Sequence, residues 1–167
     1  MHFNNSASTA HLLKTQWGLL RVEVQFGRIS SMTFEDREQL AANTDDSFRV
    51  VFMQWLKCFQ DTTSDKKWNL LSPEGTCFQK SVWRTLLDIP PGSTASYKKI
   101  AILLRKSNAS RAVGSAVAAN PIALLIPCHR VVLSSGETGN YRWGPALKRA
   151  LLKAESARNT SPYQLFQ

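Results

Sequence analysis

Ser107-Asn108-Ala109-Ser110-Arg111-Ala112-Val113-Gly114-Ser115-Ala116-Val117-Ala118-Ala119-Asn120-Pro121 is the stretch on which the fold of this chain turns. Ser107 to Ser110 reads as a turn whose last residue caps a helix over 111–119. Asn120-Pro121 ends that helix, because the residue before a proline is pushed out of the helical region. Upstream, Ser96 to Arg105 reads as another helix, so the pair is a helix-turn-helix candidate. The later helix has no Asn, Gln or Lys to read base edges, only Arg111 at its start and then small residues. So slim a helix suits a minor groove about 6 Å wide. It also suits close helix–helix packing, and at this level both readings stand.

The 167-residue chain carries a net +9, unevenly placed. Residues 1–75 hold 8 Lys/Arg against 9 Asp/Glu, whereas residues 76–167 hold 13 Lys/Arg against only Asp88, Glu137 and Glu155. A half that basic is suited to a polyanion, with nucleic acid the first candidate.

Ser72-Pro73-Glu74-Gly75 divides the chain, and two domains are expected, 1–72 and 73–167. The first reads as α+β. Leu20, Val22, Val24 and Phe26 alternate with Arg21, Glu23 and Gln25, the pattern of a half-buried strand between Gly18 and Gly27. His11 to Trp17 and Ile29 to Phe34 are expected as the strands on either side. After an acidic, polar stretch from Glu35 to Ser47, Phe48, Val51, Phe52, Trp55, Leu56 and Phe59 recur at helical spacing and predict one apolar helix face. The second domain is mainly helical. Phe78, Val82, Leu86 and Ile89 form a helix face with Thr76 as N-cap, and Pro90-Pro91-Gly92-Ser93 ends it.

Ile126-Pro127-Cys128-His129-Arg130-Val131-Val132 carries the chemistry. A thiolate is a strong nucleophile, an imidazole can take its proton, and a carboxylate can orient the imidazole. Neighbours on an extended strand point to opposite faces. Either Pro127 turns the pair, or a water relays the proton. Cys128 could equally be a small core hydrophobe. The three cysteines suggest no disulfide framework and a reducing compartment. No apolar run approaches about 18 residues, so no signal peptide or membrane span is expected, and the cytoplasm or nucleus is. His2, His11 and Cys58 lack metal-ligand spacing, so no metal site is expected.

Residues 75–155 resemble the O6-alkylguanine-DNA alkyltransferase family. The resemblance rests on Gly75-Thr76-Cys77-Phe78-Gln79, Val82-Trp83, Ile89-Pro90-Pro91-Gly92, Ser96-Tyr97, Arg111-Ala112-Val113-Gly114, Asn120-Pro121, Ile126 to Val131, Gly139-Asn140-Tyr141 and Lys148 to Glu155, in that order. It implies an RNase H-like amino-terminal domain and a winged helix-turn-helix carboxy-terminal domain. It implies that Cys128 accepts the alkyl group, that His129 acts as its base through a water, and that Glu155 orients His129. Asn120 would hold the turn before the active-site segment. Tyr97 would press on the target phosphate and the flipped base, and Arg111 would fill the gap in the stack. Ala112, Gly114, Ser115, Ala118 and Arg130 would face DNA. The substrate pocket would involve Val131, Tyr141, Arg142 and Trp143, with the Arg142 amide donating to O6.

The implied partner is double-stranded DNA, the expected state a monomer, and no cofactor is needed. A non-catalytic sensor of alkylated DNA or a winged-helix regulator is the alternative. The run Tyr141-Arg142-Trp143-Gly144 departs from the two glycines that many family members have there. A tryptophan at the pocket lip is expected to disfavour bulky O6 adducts.

Overall fold

The structure, a computed structural model, describes residues 8–35 and 46–158. Most of the acidic stretch and most of the carboxy-terminal tail lie outside the described residues. Among the described residues two compact units are present, the first of residues 8–35, 46–74 and 121–123, the second of residues 75–120 and 124–158.

The first unit is a three-stranded antiparallel sheet with a helix. The strands are β1 (Thr9–Thr15), β2 (Gly18–Gln25) and β3 (Arg28–Glu35), in the order β1-β2-β3. Leu13, Leu20, Val22, Val24, Ile29 and Met32 are buried. A bulge at Glu23/Val24 shifts the register, so Glu23 faces Ser31 while Val24 faces Ile29. The extra residue, Ser30, donates its hydroxyl to the Glu23 carbonyl at 3.3 Å. The bulge explains why Ile29 and Met32, three apart, both reach the core although a strand alternates by two.

Two details differ from the sequence pattern. Phe26 was expected to continue the inward row of β2, but it is 76% exposed. It forms a two-residue turn with Gly27, and φ is positive at both (49° and 74°), as a type I′ hairpin requires. Trp17 likewise leaves β1 for a turn, in which its amide donates to Thr15 Oγ1 at 3.1 Å.

Helix α1 (Asp46–Gln60) buries Phe48, Phe52, Trp55, Leu56 and Phe59, and their rings form a ladder with centroid separations of 5.0–6.0 Å. Val51 was expected on this face. It lies off the 48/52/55/59 row and is 42% exposed. The Phe48 ring stacks on His11 of β1 at 3.8 Å. A short helix, α2 (Ser64–Asn69), follows. The free edge of β3 then pairs with two isolated segments, at Leu71 and at Ile122.

The second unit begins with α3 (Cys77–Leu86). Thr76 caps it in a reciprocal box: Gln79 N–H donates to Thr76 Oγ1 at 3.2 Å, and Thr76 N–H donates to Gln79 Oε1 at 2.8 Å. Val82, Trp83 and Leu86 are buried, while Phe78 is half-buried. A Cβ on Gly75 would come within 2.5 Å of the Trp83 ring, so only glycine fits there. Strand β4 (Ala95–Ser96) leads into α4 (Tyr97–Leu103), which Ser96 caps by accepting Lys99 N–H at 3.1 Å. Arg105, with φ of 56°, turns the chain out of the helix.

Helix α5 (Ser110–Ala118) starts one residue earlier than expected. Its N-cap is Ala109, no side chain caps it, and Ser110 lies in the first turn instead. Trp83 Nε1 donates to the Ala116 carbonyl at 2.7 Å, tying α3 to α5. Strand β5 (Val131–Val132) pairs in parallel with β4, and α6 (Pro145–Arg158) completes the described unit. Among the described residues no helix is long and apolar enough to cross a membrane.

Candidate active site

Cys128, His129 and Arg130 form one turn of 3₁₀ helix, not a strand. Pro127 starts it with φ of −80° and ψ of 60°, and Arg130 N–H closes it on the Pro127 carbonyl at 3.0 Å. A 3₁₀ turn rotates successive side chains by about a third of a circle instead of a half. Cys128 and His129 are therefore not on opposite faces.

Cys128 is 2% exposed. Asn120, following α5, points its amide at this turn: Nδ2 lies 3.0 Å from Cys128 Sγ and 3.0 Å from the Ile126 carbonyl. One amide group thus holds the sulfur and the backbone two residues before it. Burial pushes the Cys128 thiol above its ordinary value, while Asn120, the Tyr141 hydroxyl and the Lys148 ammonium act in the opposite direction. The Tyr141 hydroxyl is buried with no partner at good hydrogen-bond geometry. Burial and the neighbouring Cys128 push its pKa well above the ordinary value, so it remains a phenol.

His129 is fully buried, and its Nε2 stands 2.8 Å from Glu155 Oε1. Burial lowers the imidazole pKa, against the pull of Glu155. Burial would raise the Glu155 carboxyl, but hydrogen bonds and charge from His129 and Arg130 outweigh it and hold the value at about 2. His129 is therefore a neutral base at neutral pH, and Glu155 an anion.

Lys148 on α6 is a fully buried cation. Its Nζ donates to the carbonyls of Val131 (2.6 Å), Thr138 and Asn140 (3.4 Å). It clasps the chain after β5 onto the active-site turn. Burial lowers its pKa, with Cys128 acting the other way.

A cavity of about 540 Å³ opens over the thiol, lined by Tyr97, Arg111, Gly114, Ser115, Val117, Ala118, Cys128, Leu133, Asn140, Tyr141 and Arg142. Helix α5 forms one wall, and the segment 140–142 another. Tyr97, the first residue of α4, packs its ring about where a Cβ on Gly114 would touch it, at 3.8 Å. Arg111 and Ala118 are exposed on the α5 wall; Ala112 is exposed but does not line the cavity.

Three residues stand elsewhere than expected. Arg130 was expected at a DNA surface, but it is 5% exposed and faces inward. Its guanidinium donates to both Glu155 oxygens, with Nε 3.0 Å from Oε2 and Nη2 2.9 Å from Oε1, and to the Ile89 carbonyl. Val131 is fully buried and absent from the cavity wall, its carbonyl already accepting from Lys148. Trp143 does not line the cavity either: it packs edge-on against Tyr141 at 5.3 Å, beneath the Arg142 guanidinium at 5.6 Å. Arg142 also donates from its side chain to the Asn120 carbonyl at 3.2 Å, a contact beyond the backbone role expected of it. From sequence Lys148 was named only as the start of a segment carrying the resemblance, and no role was assigned to it. Among the described residues no three His, Cys, Asp or Glu side chains gather as metal ligands.

These features define a protein with a buried thiol, backed by an amide and an imidazole–carboxylate pair, at the base of a cavity walled by a slim helix. Residues 77–157 match the family model described as 6-O-methylguanine DNA methyltransferase, DNA binding domain. A methylated-DNA–protein-cysteine methyltransferase of Methanosarcina barkeri is 54% identical over 85 residues, 51% of this chain and 54% of that protein. One of the same name from Kluyveromyces lactis is 51% identical over 83 residues, 50% of this chain and 44% of that protein. The matched stretch thus spans about half the length of these relatives. The crystal structure of Mycobacterium tuberculosis OGT in complex with DNA superposes with a TM-score of 0.71 at 31% identity, covering 95% of this chain and 99% of that one. The chain belongs to the O6-methylguanine-DNA methyltransferase family.

Proposed function

We propose that this chain repairs DNA by direct reversal, moving the methyl group of O6-methylguanine onto Cys128 in a single, irreversible turnover. The observation that carries the reading is Cys128 itself. A 2%-exposed thiol lies at a 540 Å³ cavity, with an amide donor 3.0 Å from its sulfur.

The reading treats the first unit as RNase H-like and the second as a winged helix-turn-helix domain, with the domain boundary near Ser72. Helices α4 and α5, joined by a six-residue turn, support the helix-turn-helix part. Helix α5 enters the minor groove, where its small residues and Arg111 fit. The O6 atom lies in the major groove, so the target base must leave the stack, at a cost of a few kcal/mol. Arg111 occupies the vacated space, and Tyr97 at the cavity edge supports the extruded nucleotide. Exposed lysines and arginines of the second unit contact phosphates and supply affinity that is tolerant of sequence.

His129 accepts the thiol proton through a water. The resulting thiolate is stabilised by the Asn120 amide and the Lys148 charge. Sulfur attacks the methyl carbon, the carbon–O6 bond breaks, and its electron pair leaves on guanine, whose O6 accepts a hydrogen bond from the Arg142 amide. The product is a thioether, which nothing at the site cleaves. No metal or cofactor takes part. The same chemistry requires a reducing compartment, cytoplasm or nucleus.

Incubation with a duplex carrying label on the O6-methyl group tests this. One label per protein molecule is expected, and none with Cys128→Ala, which should still bind the duplex. Binding without label transfer by the wild type would favour a sensor or regulator instead.

A further inference from the structure

We propose that Arg130 is a positioning residue for this reaction: its fork on Glu155 fixes His129 in the tautomer that carries its proton on Nε2 and leaves Nδ1 as the base. The inference rests on the alkyl-transfer reading above.

The Glu155 carboxylate is crowded with donors. Oε1 is approached by His129 Nε2 at 2.8 Å and Arg130 Nη2 at 2.9 Å. Oε2 accepts from Arg130 Nε at 3.0 Å and Gly92 N–H at 3.3 Å. A guanidinium cannot give up its donor role. With a two-pronged arginine in place, a proton on the carboxyl would have to face a donor, so Glu155 can only accept. His129 must then present N–H at Nε2. The remaining ring nitrogen, Nδ1, is buried and has no protein partner. A buried, unpartnered nitrogen with a free lone pair is the proton acceptor the reaction needs.

The charges around the imidazole explain why the arginine matters. Cys128 and Arg130 flank His129 on the turn, and Glu155 and Lys148 face it from α6. With Arg130 present, the carboxylate is already neutralised. Without it, Glu155 would be paired with the imidazole alone, and that pair is best satisfied as carboxylate and imidazolium. The second proton would sit on Nδ1 and block it as a base. Arg130 also holds the Ile89 carbonyl, so a purely structural role has to be separated from this one.

The test is single-turnover transfer of labelled methyl from an O6-methylguanine duplex, from about pH 5.5 to 9. Wild type, Arg130→Gln and Arg130→Lys are compared, with thermal unfolding of each. Arg130→Gln should lose about tenfold more rate at pH 6 than at pH 9, relative to wild type. Arg130→Lys keeps a cation and should recover most of that difference. An equal loss at every pH would overturn the proposal and leave Arg130 a tie to the Ile89 loop. Nitrogen-15 NMR of wild-type His129 decides the tautomer without any variant: a neutral ring protonated at Nε2 is expected, and a proton on Nδ1 would overturn it. Failure of the wild type to take up label would sink the functional reading, while the NMR result would still stand for or against the tautomer.

Discussion

Asn120 Nδ2 stands 3.0 Å from Cys128 Sγ, and both residues are buried. The same amide also holds the Ile126 carbonyl at 3.0 Å. Asn120→Ala removes a donor that a thiolate needs more than a thiol does. We expect transfer to slow by about 10²-fold, as for loss of one preorganised donor at a developing anion. Stability should fall by about 1–3 kcal/mol, since a buried carbonyl loses its partner. Single-turnover kinetics and urea unfolding measure the two effects; an unchanged rate would remove Asn120 from the chemistry.

Alkylation should weaken the fold. A methyl on Cys128 crowds the Asn120 amide 3.0 Å from the sulfur and weakens that hydrogen bond. A buried donor left unpaired costs about 1–3 kcal/mol, a shift of several degrees in melting temperature for a chain of this size. Melting before and after stoichiometric reaction is the measurement, and identical curves would refute it.

Lys148→Met should destabilise the protein by about 2 kcal/mol or more, because the buried carbonyl of Val131 and the part-buried carbonyls of Thr138 and Asn140 lose their shared donor. The thiol should also become less acidic, since Lys148 favours the thiolate. Reaction of Cys128 with a small disulfide reagent across a pH series would report this as a shift to higher pH.

Stability should have a plateau with losses on both sides. Glu155 is held at about 2, below its ordinary 4.5, so its contribution is full above 4.5 and lost as pH falls through about 2. His129 is lowered from 6.5, so its contribution is full above 6.5 and lost below. Cys128 is raised above 9.0, so its contribution is full below 9.0 and lost as pH rises further. Urea midpoints from pH 3 to pH 10 should trace this shape. Cys128→Ala should lessen the alkaline loss while leaving the acid one; an unaltered alkaline limb would contradict the Cys128 assignment.

Trp143 packs edge-on against Tyr141, which lines the cavity, and does not line it itself. Trp143→Gly should free the Tyr141 ring and raise the rate with O6-benzylguanine relative to O6-methylguanine by about tenfold, the scale of one to a few methylene-sized adjustments in a pocket. An unchanged ratio of the two rates would show that Trp143 does not set substrate size.

Much of the local structure was legible because its causes are local. The Thr76–Gln79 capping box needs only its own four residues, and the α1 ladder follows from spacing alone. Phe26 and Val51 were misread for complementary reasons. Alternation does not say where a hairpin turns, and a helical stripe does not say how wide its buried face is. Arg130 and Lys148 were harder still. A basic residue in a basic half reads as solvent-facing until a carboxylate or a set of carbonyls is found around it, and those partners come from distant sequence. Glu155 lies 25 residues from Arg130, and Thr138 lies 10 from Lys148.

By itself the sequence determined which groups this protein carries and how each short segment folds: a thiol beside an imidazole after a proline, a helix of small residues behind one arginine, and a basic second half. Those follow from residue type and near-neighbour geometry. Only the tertiary structure decided that the Cys-His pair is turned, that Asn120 reaches the sulfur, and that two arginine or lysine charges are spent inside the protein. Such facts depend on which backbone and side-chain groups are brought out of water together. A buried charge is tolerated only where partners surround it, and folding alone assembles them.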